Sequence, residues 1–232
     1  MSDSRRVLLS WSSGKDSAWC LHQLRQDPTI EVVGLLTVID HEADCVPMHT
    51  TPRDLVKTQA ERVNLPLHEV HLPCASSTVS YEDEMRRVLA AARDSGVTDI
   101  AFGDLFLADL RAAREKKMQR TGLGVLFPLW MRNTVELASE MVRGGLRARV
   151  TYVDTKVLPI SFLGRVFDES FLADLPPGVD PCGEHGEFHS FAFAGPMFSS
   201  PIEIEVVGVS GSHAQLRETA QLSRKPRVGL GG

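Results

Sequence analysis

Val7-Leu8-Leu9-Ser10-Trp11-Ser12-Ser13-Gly14-Lys15-Asp16-Ser17 is the stretch whose reading decides the fold. Its first residues read as a buried strand that runs into a short Ser/Gly loop. Ala18 to Leu24 follows as a helix, with Leu21 and Leu24 turned inward. A strand, a small-residue loop and a helix N-terminus make an anion site, because the loop N–H groups face the turn and the helix dipole adds positive potential. Lys15 supplies a full positive charge there, so phosphate is the expected guest. The Walker pattern needs Gly, four residues, then Gly-Lys-Ser/Thr. Here Leu9 stands five residues before Gly14 and Asp16 follows Lys15, which excludes that pattern. A ligand-free strand-to-helix turn is the alternative the residues leave open.

Outward from this stretch, strand and helix patterns alternate. Ile30 to Ile39 is a nearly continuous apolar run, suited to a parallel strand covered on both faces, and its end at Thr37–Ile39 is expected beside the loop. Asp40 to Thr50 is a polar connection. Thr51 reads as the N-cap and Pro52 as the first residue of a helix that ends near Val63, before Asn64 and Pro66. Leu67 to Leu72 alternates as a third strand closed by Pro73. Ser80 caps a helix carrying Met85, Val88, Leu89 and Ala92 on one face, with Gly96 past its end. Asp99 to Asp104 is a fourth strand arriving at an acid, and Leu107 to Thr121 is helical. Alternation of this kind predicts βαβ units and a parallel sheet.

Phe127-Pro128-Leu129-Trp130 breaks the rhythm, and a domain boundary is expected near residue 128. Beyond it lie a helix at Thr134–Arg143, a strand at Ala148–Val153, a short strand at Val157–Ile160 and a helix at Asp168–Leu175. The tail from Ser223 is basic and then Gly-rich.

Composition narrows the class. The 232 residues are 43% hydrophobic and 24% charged, ordinary values for a globular protein. A net charge of −5 and a pI near 5.9 count against broad nucleic-acid binding. Cys20, Cys45, Cys74 and Cys182 form no Cys-x-x-Cys pair, which disfavours a disulfide framework and points to reduced thiols. The apolar run after Arg5-Arg6 is too short for a signal peptide, and no run approaches a membrane span. A cytoplasmic protein with no membrane partner is expected.

A second dense stretch is Asp180-Pro181-Cys182-Gly183-Glu184-His185-Gly186-Glu187-Phe188-His189-Ser190. His185 and His189 are four apart, but Pro181, Gly183 and Gly186 disfavour the helix that would turn them to one metal. A substrate-facing loop supplying acid–base groups fits the residues better than a zinc site or a plain polar turn. Cys182 has no neighbour that would depress its pKa, so it reads as packing or substrate contact rather than as a nucleophile.

The loop Ser-x-Ser-Gly-Lys-Asp-Ser resembles the pyrophosphate loop of the N-type ATP pyrophosphatases, usually Ser-Gly-Gly-x-Asp-Ser. Ser13 stands where most members have Gly, so this position is expected not to need positive φ. With Met48-His49, Gly103-Asp104, Arg114-Glu115, Pro128-Leu129-Trp130 and the Cys182–His189 phrase in that order, the chain is similar to the diphthine–ammonia ligase family from about Arg6 to Phe198. It departs from the family at His185, where Asn is usual, and at Ser190, where Thr is common. The wording from Phe102 to Glu115 is closer to bacterial members, which leaves the acceptor open.

The resemblance implies an α/β fold: a Rossmann-like parallel-sheet domain of the adenine nucleotide alpha-hydrolase type at residues 1–128, and a smaller α+β acceptor domain at 129–232. It implies an AMP-forming ligase that adenylates a carboxylate for amidation by ammonia. ATP would be held by Ser10, Ser12, Ser13, Gly14, Lys15, Asp16, Ser17, Thr37, His49, Gly103, Asp104 and Arg114, and Mg²⁺ by Asp16. Lys15, Glu184, Glu187 and His189 would be catalytic, the last three toward the carboxylate-bearing acceptor or ammonium. Arg111 either joins Arg114 or pairs with Glu115 or Asp109. A homodimer is left open beside a monomer. A tRNA-modifying adenylase and a non-enzymatic nucleotide sensor remain the rival readings.

Overall fold

The apolar runs of the first half become the strands of one sheet in the computed structural model, which describes residues 4–72 and 80–219. In chain order these are β1 (Arg5–Ser10), α1 (Lys15–Leu24), β2 (Ile30–Asp40), β3 (Cys45–Val46), β4 (Thr51–Pro52), α2 (Arg53–Arg62), β5 (Leu67–Leu72), α3 (Tyr81–Asp94), β6 (Asp99–Ala101), α4 (Ala108–Gln119) and β7 (Gly124–Leu126). Parallel pairings give the order β5-β2-β1-β6-β7, while β3 and β4 continue antiparallel from the end of β2. The chain leaves β1 toward β2 and β5, then returns on the other side to β6 and β7. The crevice beyond the carboxyl ends of β1 and β6 is therefore a switch point, where open α/β sheets receive ligands.

The second half comprises α5 (Thr134–Arg143), β8 (Arg147–Val153), α6 (Glu169–Ala173), β9 (Phe188–Ala194), β10 (Ile204–Ser210) and β11 (His213–Glu218). Its four strands form an antiparallel sheet in the order β10-β11-β8-β9. The expected class, a Rossmann-like parallel sheet with a smaller α+β part, is what forms. The two sheets share a core: one apolar cluster runs from Val7, Leu9 and Trp19 through Leu137 and Met141 to Phe171, Phe188 and Ala192.

Several local expectations are corrected. Thr51 does not cap α2. Pro52 occupies the N-cap with φ −54° and ψ 138° and no side-chain cap, while the Thr51 hydroxyl meets that of Ser13 at 2.8 Å. The strand read at Val157–Ile160 does not form. The amides of Val157 and Leu158 turn back to the Asp154 carbonyl, and Ile160–Phe162 is a single 3₁₀ turn. The fourth strand stops at Ala101, which leaves Gly103 and Asp104 in the loop beyond it. Strand β7 was not expected from the sequence. Its three residues are too few to show periodicity, and its Gly124 is required because a Cβ there would overlap the Asp99 carboxylate. Ser80 does cap its helix, accepting from the Asp83 amide. Pro73, Cys74 and the tail from Ser223 lie outside the described residues.

Phe171 shows what holds the second half. Its ring has 0% exposure and meets those of Phe162, Phe167 and Phe188 at centroid distances of 5.5, 5.6 and 5.2 Å. Phe171→Ala is expected to cost about 3–5 kcal/mol through lost contacts and a residual cavity. Urea unfolding checks this, and a loss below about 1 kcal/mol would show that the cluster is not a support.

Candidate active site

β1 delivers Ser10 to the rim of the crevice, and the chain turns through Trp11–Gly14 into α1. The turn requires Ser13 at φ 71°, the left-handed region. The expectation that this position avoids positive φ is thus wrong. A non-glycine residue there costs roughly 1–2 kcal/mol, and local bonds offset it. The Ser13 hydroxyl meets Thr51, and its carbonyl accepts from Ala192 N at 2.9 Å and Gln59 Nε2 at 3.0 Å. Gly14 is the N-cap of α1 without a side-chain cap. A Cβ there would crowd His49 Cε1 and the Ser190 carbonyl, each at 3.2 Å, so glycine lets these neighbours close over the loop.

Ser12 Oγ sits 3.3 Å from Ser17 Oγ, and Ser17 Oγ donates to the Gly14 carbonyl at 3.0 Å. Lys15 is buried. Its ammonium donates to both Asp16 oxygens, at 3.0 and 2.8 Å, and to the Cys182 carbonyl. It also lies over the Phe188 and Phe167 rings. Burial disfavours its charge, but Asp16 and the surrounding groups outweigh that and raise its pKa. The lysine therefore remains charged in its buried position.

The second dense stretch folds as an irregular loop into β9, against the phosphate loop. Ser190 Oγ accepts from Lys15 N at 3.2 Å. His49, between the left-handed residues Met48 (φ 64°) and Thr50 (φ 51°), lies close to Gly14 beside the Ser190 carbonyl and leaves Nδ1 without a protein partner among the described residues. Strain of this kind gathers at functional sites. The His49 and His189 rings lie 4.7 Å apart, and the Tyr152 ring packs against His189 at 5.1 Å.

These elements enclose a polar cavity of about 440 Å³. Ser10, Ser12, Lys15, Asp16, Ser17 and His49 line it from one half of the wall, with Gly103, Asp104 and Arg114 beside them. Glu184, His189 and Ser190 line it from the loop and β9. Gly103 approaches α1 so closely that a Cβ would lie 3.3 Å from the Asp16 carbonyl oxygen. Arg114 pairs with Asp104 (Nε to Oδ2 2.5 Å) and stacks on Phe102 at 4.2 Å. An adjoining cavity of about 430 Å³ is more apolar, with Leu36, Val38, Met85, Ile100 and Phe102 in its wall. Ser10, Ser12, His49 and Arg114 line both.

Not every expected residue is brought in. Thr37 is buried on β2 opposite Glu69 and lines neither cavity. Ser13 is fully buried within the loop and lines neither cavity. Arg111 bonds Glu115 at 2.7 Å and stacks on Phe127 and Trp130, away from the cavity wall. Glu187 is 5% exposed and absent from the wall. Its two oxygens accept from the backbone amides of Asp180 and His185, at 3.1 and 2.9 Å. It staples the loop that carries Glu184. Cys182 is buried, and burial holds its thiol far up in the protonated form. Gln59 and Tyr152 escaped the sequence reading, since neither belongs to a motif and both act through tertiary contact.

With Glu184 protonated, the charges of the wall balance. Asp16, Asp104 and Glu184 face the cavity against Lys15 and Arg114. Burial, and then Asp16, push the Glu184 carboxyl up to about 8. Burial lowers both His49 and His189 to about 4, with further lowering from Lys15 and, for His189, from His49. Among the described residues no cluster of three or more His, Cys, Asp or Glu could hold a metal unaided. Mg²⁺, however, is usually held by one or two carboxylates together with substrate phosphates, and the carboxyl groups of Asp16 and Glu184 on this wall fit that mode.

The family model described as diphthamide synthase N-terminal domain matches residues 5–125, and the one described as diphthamide synthase C-terminal domain matches residues 133–220. The chain belongs to the diphthamide synthase family. Among its relatives, the diphthine–ammonia ligase of Danio rerio is 28% identical over 220 residues, covering 86% of each protein. That of Homo sapiens is 26% identical over 223 residues, covering 86% of this chain and 83% of the human protein. A solved structure, the U34-tRNA thiolase NcsA from Methanococcus maripaludis with its [4Fe-4S] cluster, superposes with a TM-score of 0.38 at 16% identity, over 61% of this chain and 58% of that one. A superposition that partial does not bear on the family member's chemistry. No described helix is long and apolar enough to cross a membrane.

Two measurements probe this site. Glu187→Ala leaves two buried amides without their acceptor, and a loss of about 2–4 kcal/mol in chemical denaturation is expected. A loss near zero would mean the loop needs no staple. The second follows from linkage. Glu184 holds its proton longer folded (about 8) than unfolded (4.5), so its contribution to stability falls as pH rises from 4.5 to 8. His49 and His189 are neutral when folded down to about 4 but titrate near 6.5 unfolded, so theirs rises with pH from 4 to 6.5. Ligand-free stability should peak near pH 6.5, and Glu184→Gln should flatten the decline above it. Thermal melts across pH 5–9 would contradict this if the two proteins declined in parallel.

Proposed function

We propose that this chain is an ATP-dependent, AMP-forming ligase that adenylates a carboxylate and passes the acyl group to ammonia. The observation that carries the reading is the joined pair of cavities at the β1/β6 crevice, with the phosphate loop on one wall and Glu184 and His189 opposite. The sequences of its relatives, named as diphthine–ammonia ligases, support the same chemistry. Residues 1–128 would serve ATP and residues 129–232 the acceptor.

A carboxylate resists amines because its leaving group is poor. On this reading adenosine enters the apolar cavity and the β- and γ-phosphates meet the amides of Gly14 to Ser17. The α-phosphate then lies at the junction, beside Ser10, Ser12, His49 and Arg114. A carboxylate oxygen bonds to the α-phosphorus as the bond to pyrophosphate breaks, giving an acyl-adenylate. Ammonia then bonds to the acyl carbon, the bond to AMP breaks, and the amine's surplus proton goes to a base. Arg114 and Lys15 stabilise charge on the phosphates from fixed positions. Mg²⁺ held by Asp16, with Glu184 near, would neutralise the pyrophosphate.

Neutral His189 is the base toward the acceptor side. The negative phosphates would raise its pKa from about 4 toward the working pH, which improves it as a proton acceptor. Glu187 acts through the loop and not on the substrate.

With α-labelled ATP, ammonium and a carboxylate acceptor, label is expected in AMP, with pyrophosphate as co-product. Lys15→Ala should weaken ATP binding in calorimetry. His189→Ala should bind ATP and lose about 10²–10⁴ in acceptor-dependent turnover. Formation of ADP would place the protein in another ATPase class. ATP binding with no turnover over a panel of carboxylates and RNAs would favour the nucleotide-sensor reading, and AMP formation driven by tRNA alone would favour the tRNA adenylase.

A further inference from the structure

Gln59 is fully buried on α2, lines neither cavity, and belongs to no motif read from the sequence. Its amide is nevertheless fully committed. Oε1 accepts from the Trp11 indole at 2.8 Å, and Nε2 donates to the Ser13 carbonyl at 3.0 Å and the Ala192 carbonyl at 2.6 Å. One side chain thus ties the end of β1, the middle of the phosphate loop and strand β9. The Ala192 amide adds a second donor to the Ser13 carbonyl. Both lone pairs of that oxygen are then used, and the oxygen is held toward the protein interior.

The direction of that carbonyl fixes something on the other side. In a trans peptide the C=O of one residue and the N–H of the next point in opposite directions. Holding the Ser13 oxygen inward therefore turns the Gly14 N–H outward, toward Ser12, whose hydroxyl it meets at a long 3.4 Å on the cavity wall. The Ser13–Gly14 peptide would not hold this orientation unaided. Its serine is left-handed, and release of the carbonyl would let the residue relax to negative φ and rotate the amide away.

We infer that Gln59 is a positioning residue for the triphosphate site: it holds the Ser13–Gly14 peptide so that the Gly14 amide faces the phosphates of ATP. The inference rests on the ATP reading given above. It also accounts for serine at a left-handed position, since the clamp from Gln59, Thr51 and Ala192 replaces the freedom that glycine would bring.

The test is a coupling experiment. Gln59→Met keeps the length of the side chain and removes all three hydrogen bonds. It is expected to weaken ATP binding by about tenfold or more in calorimetry, while S13G/Q59M should lose only about threefold relative to S13G, because glycine holds positive φ without the clamp. A purely structural role would give equal losses in the two backgrounds, and that result would overturn the inference. Thr51→Val, which removes only the hydroxyl facing Ser13, gives the same comparison if Gln59→Met does not fold. Amide hydrogen exchange at Gly14 reads the peptide without ATP. It should quicken in Gln59→Met and be partly restored by S13G, and unchanged exchange would likewise overturn the inference. Wild-type protein that binds no ATP would remove the function proposed above but leave the exchange result to judge the clamp.

Discussion

The phosphate loop is closed by a strand that lies about 180 residues further along the chain. The Ser13 carbonyl takes the amide of Ala192, the Lys15 amide donates to Ser190, and the Lys15 ammonium donates to the Cys182 carbonyl. These bonds are buried, where an unpaired partner is costly, so neither side can shift without exposing polar groups to an apolar core. The N-terminal sheet supplies the crevice, but the loop geometry within it comes from β9. The common apolar cluster and the hydrogen bond from the Trp19 indole to Glu140 extend this dependence to α1 and α5. The two walls of the cavity are thereby tied directly to each other.

Such a wall constrains its charges. Lys15 is neutralised by Asp16 beside it, and Arg114 by Asp104, so the two cations of the wall are already engaged. Glu184 has no hydrogen-bond or ion-pair partner among those found for the described residues, and burial keeps it protonated near neutrality. The result is a pocket whose two cations are already paired, so a polyanion would enter best with a cation of its own. Removing either engaged cation would strand its carboxylate partner in a half-buried site, which costs more than the pair contributes. The ion pairs hold the wall in place until the substrate arrives.

How much of this was legible in the sequence depended on whether a feature was local. The alternation of apolar runs gave β1, β2 and β5, and Ser80 marked a helix start by side-chain chemistry alone. The loop Ser12–Ser17 and the phrase Cys182–His189 could be recognised as sites because residue type and spacing carry the signal. Thr51 misled, because a hydroxyl before a helix looks like a cap whether it bonds the helix or, as here, another loop. Ser13 misled in the opposite sense: its left-handed backbone is held by Gln59 and Ala192, which no local pattern links to it. Glu187 shares a phrase with Glu184, but one folds under the loop and the other faces the cavity. Only the tertiary geometry separates a staple from a reactive group.

The two cavities also suggest why the histidines are kept neutral. In the proposed geometry the reacting phosphorus lies where the cavities meet, and His49 lines both. A protonated imidazole there would attract the triphosphate but could not take a proton from an attacking amine. Burial and Lys15 keep both rings unprotonated in the ligand-free protein, and His49 lowers His189 further. The arrival of the phosphates would then reverse the local field, and the ring facing the acceptor would gain affinity for a proton at the stage that releases one. On the proposed reading, the same buried charge would set His189 to act after ATP has bound, which would tie proton transfer to occupancy of the site.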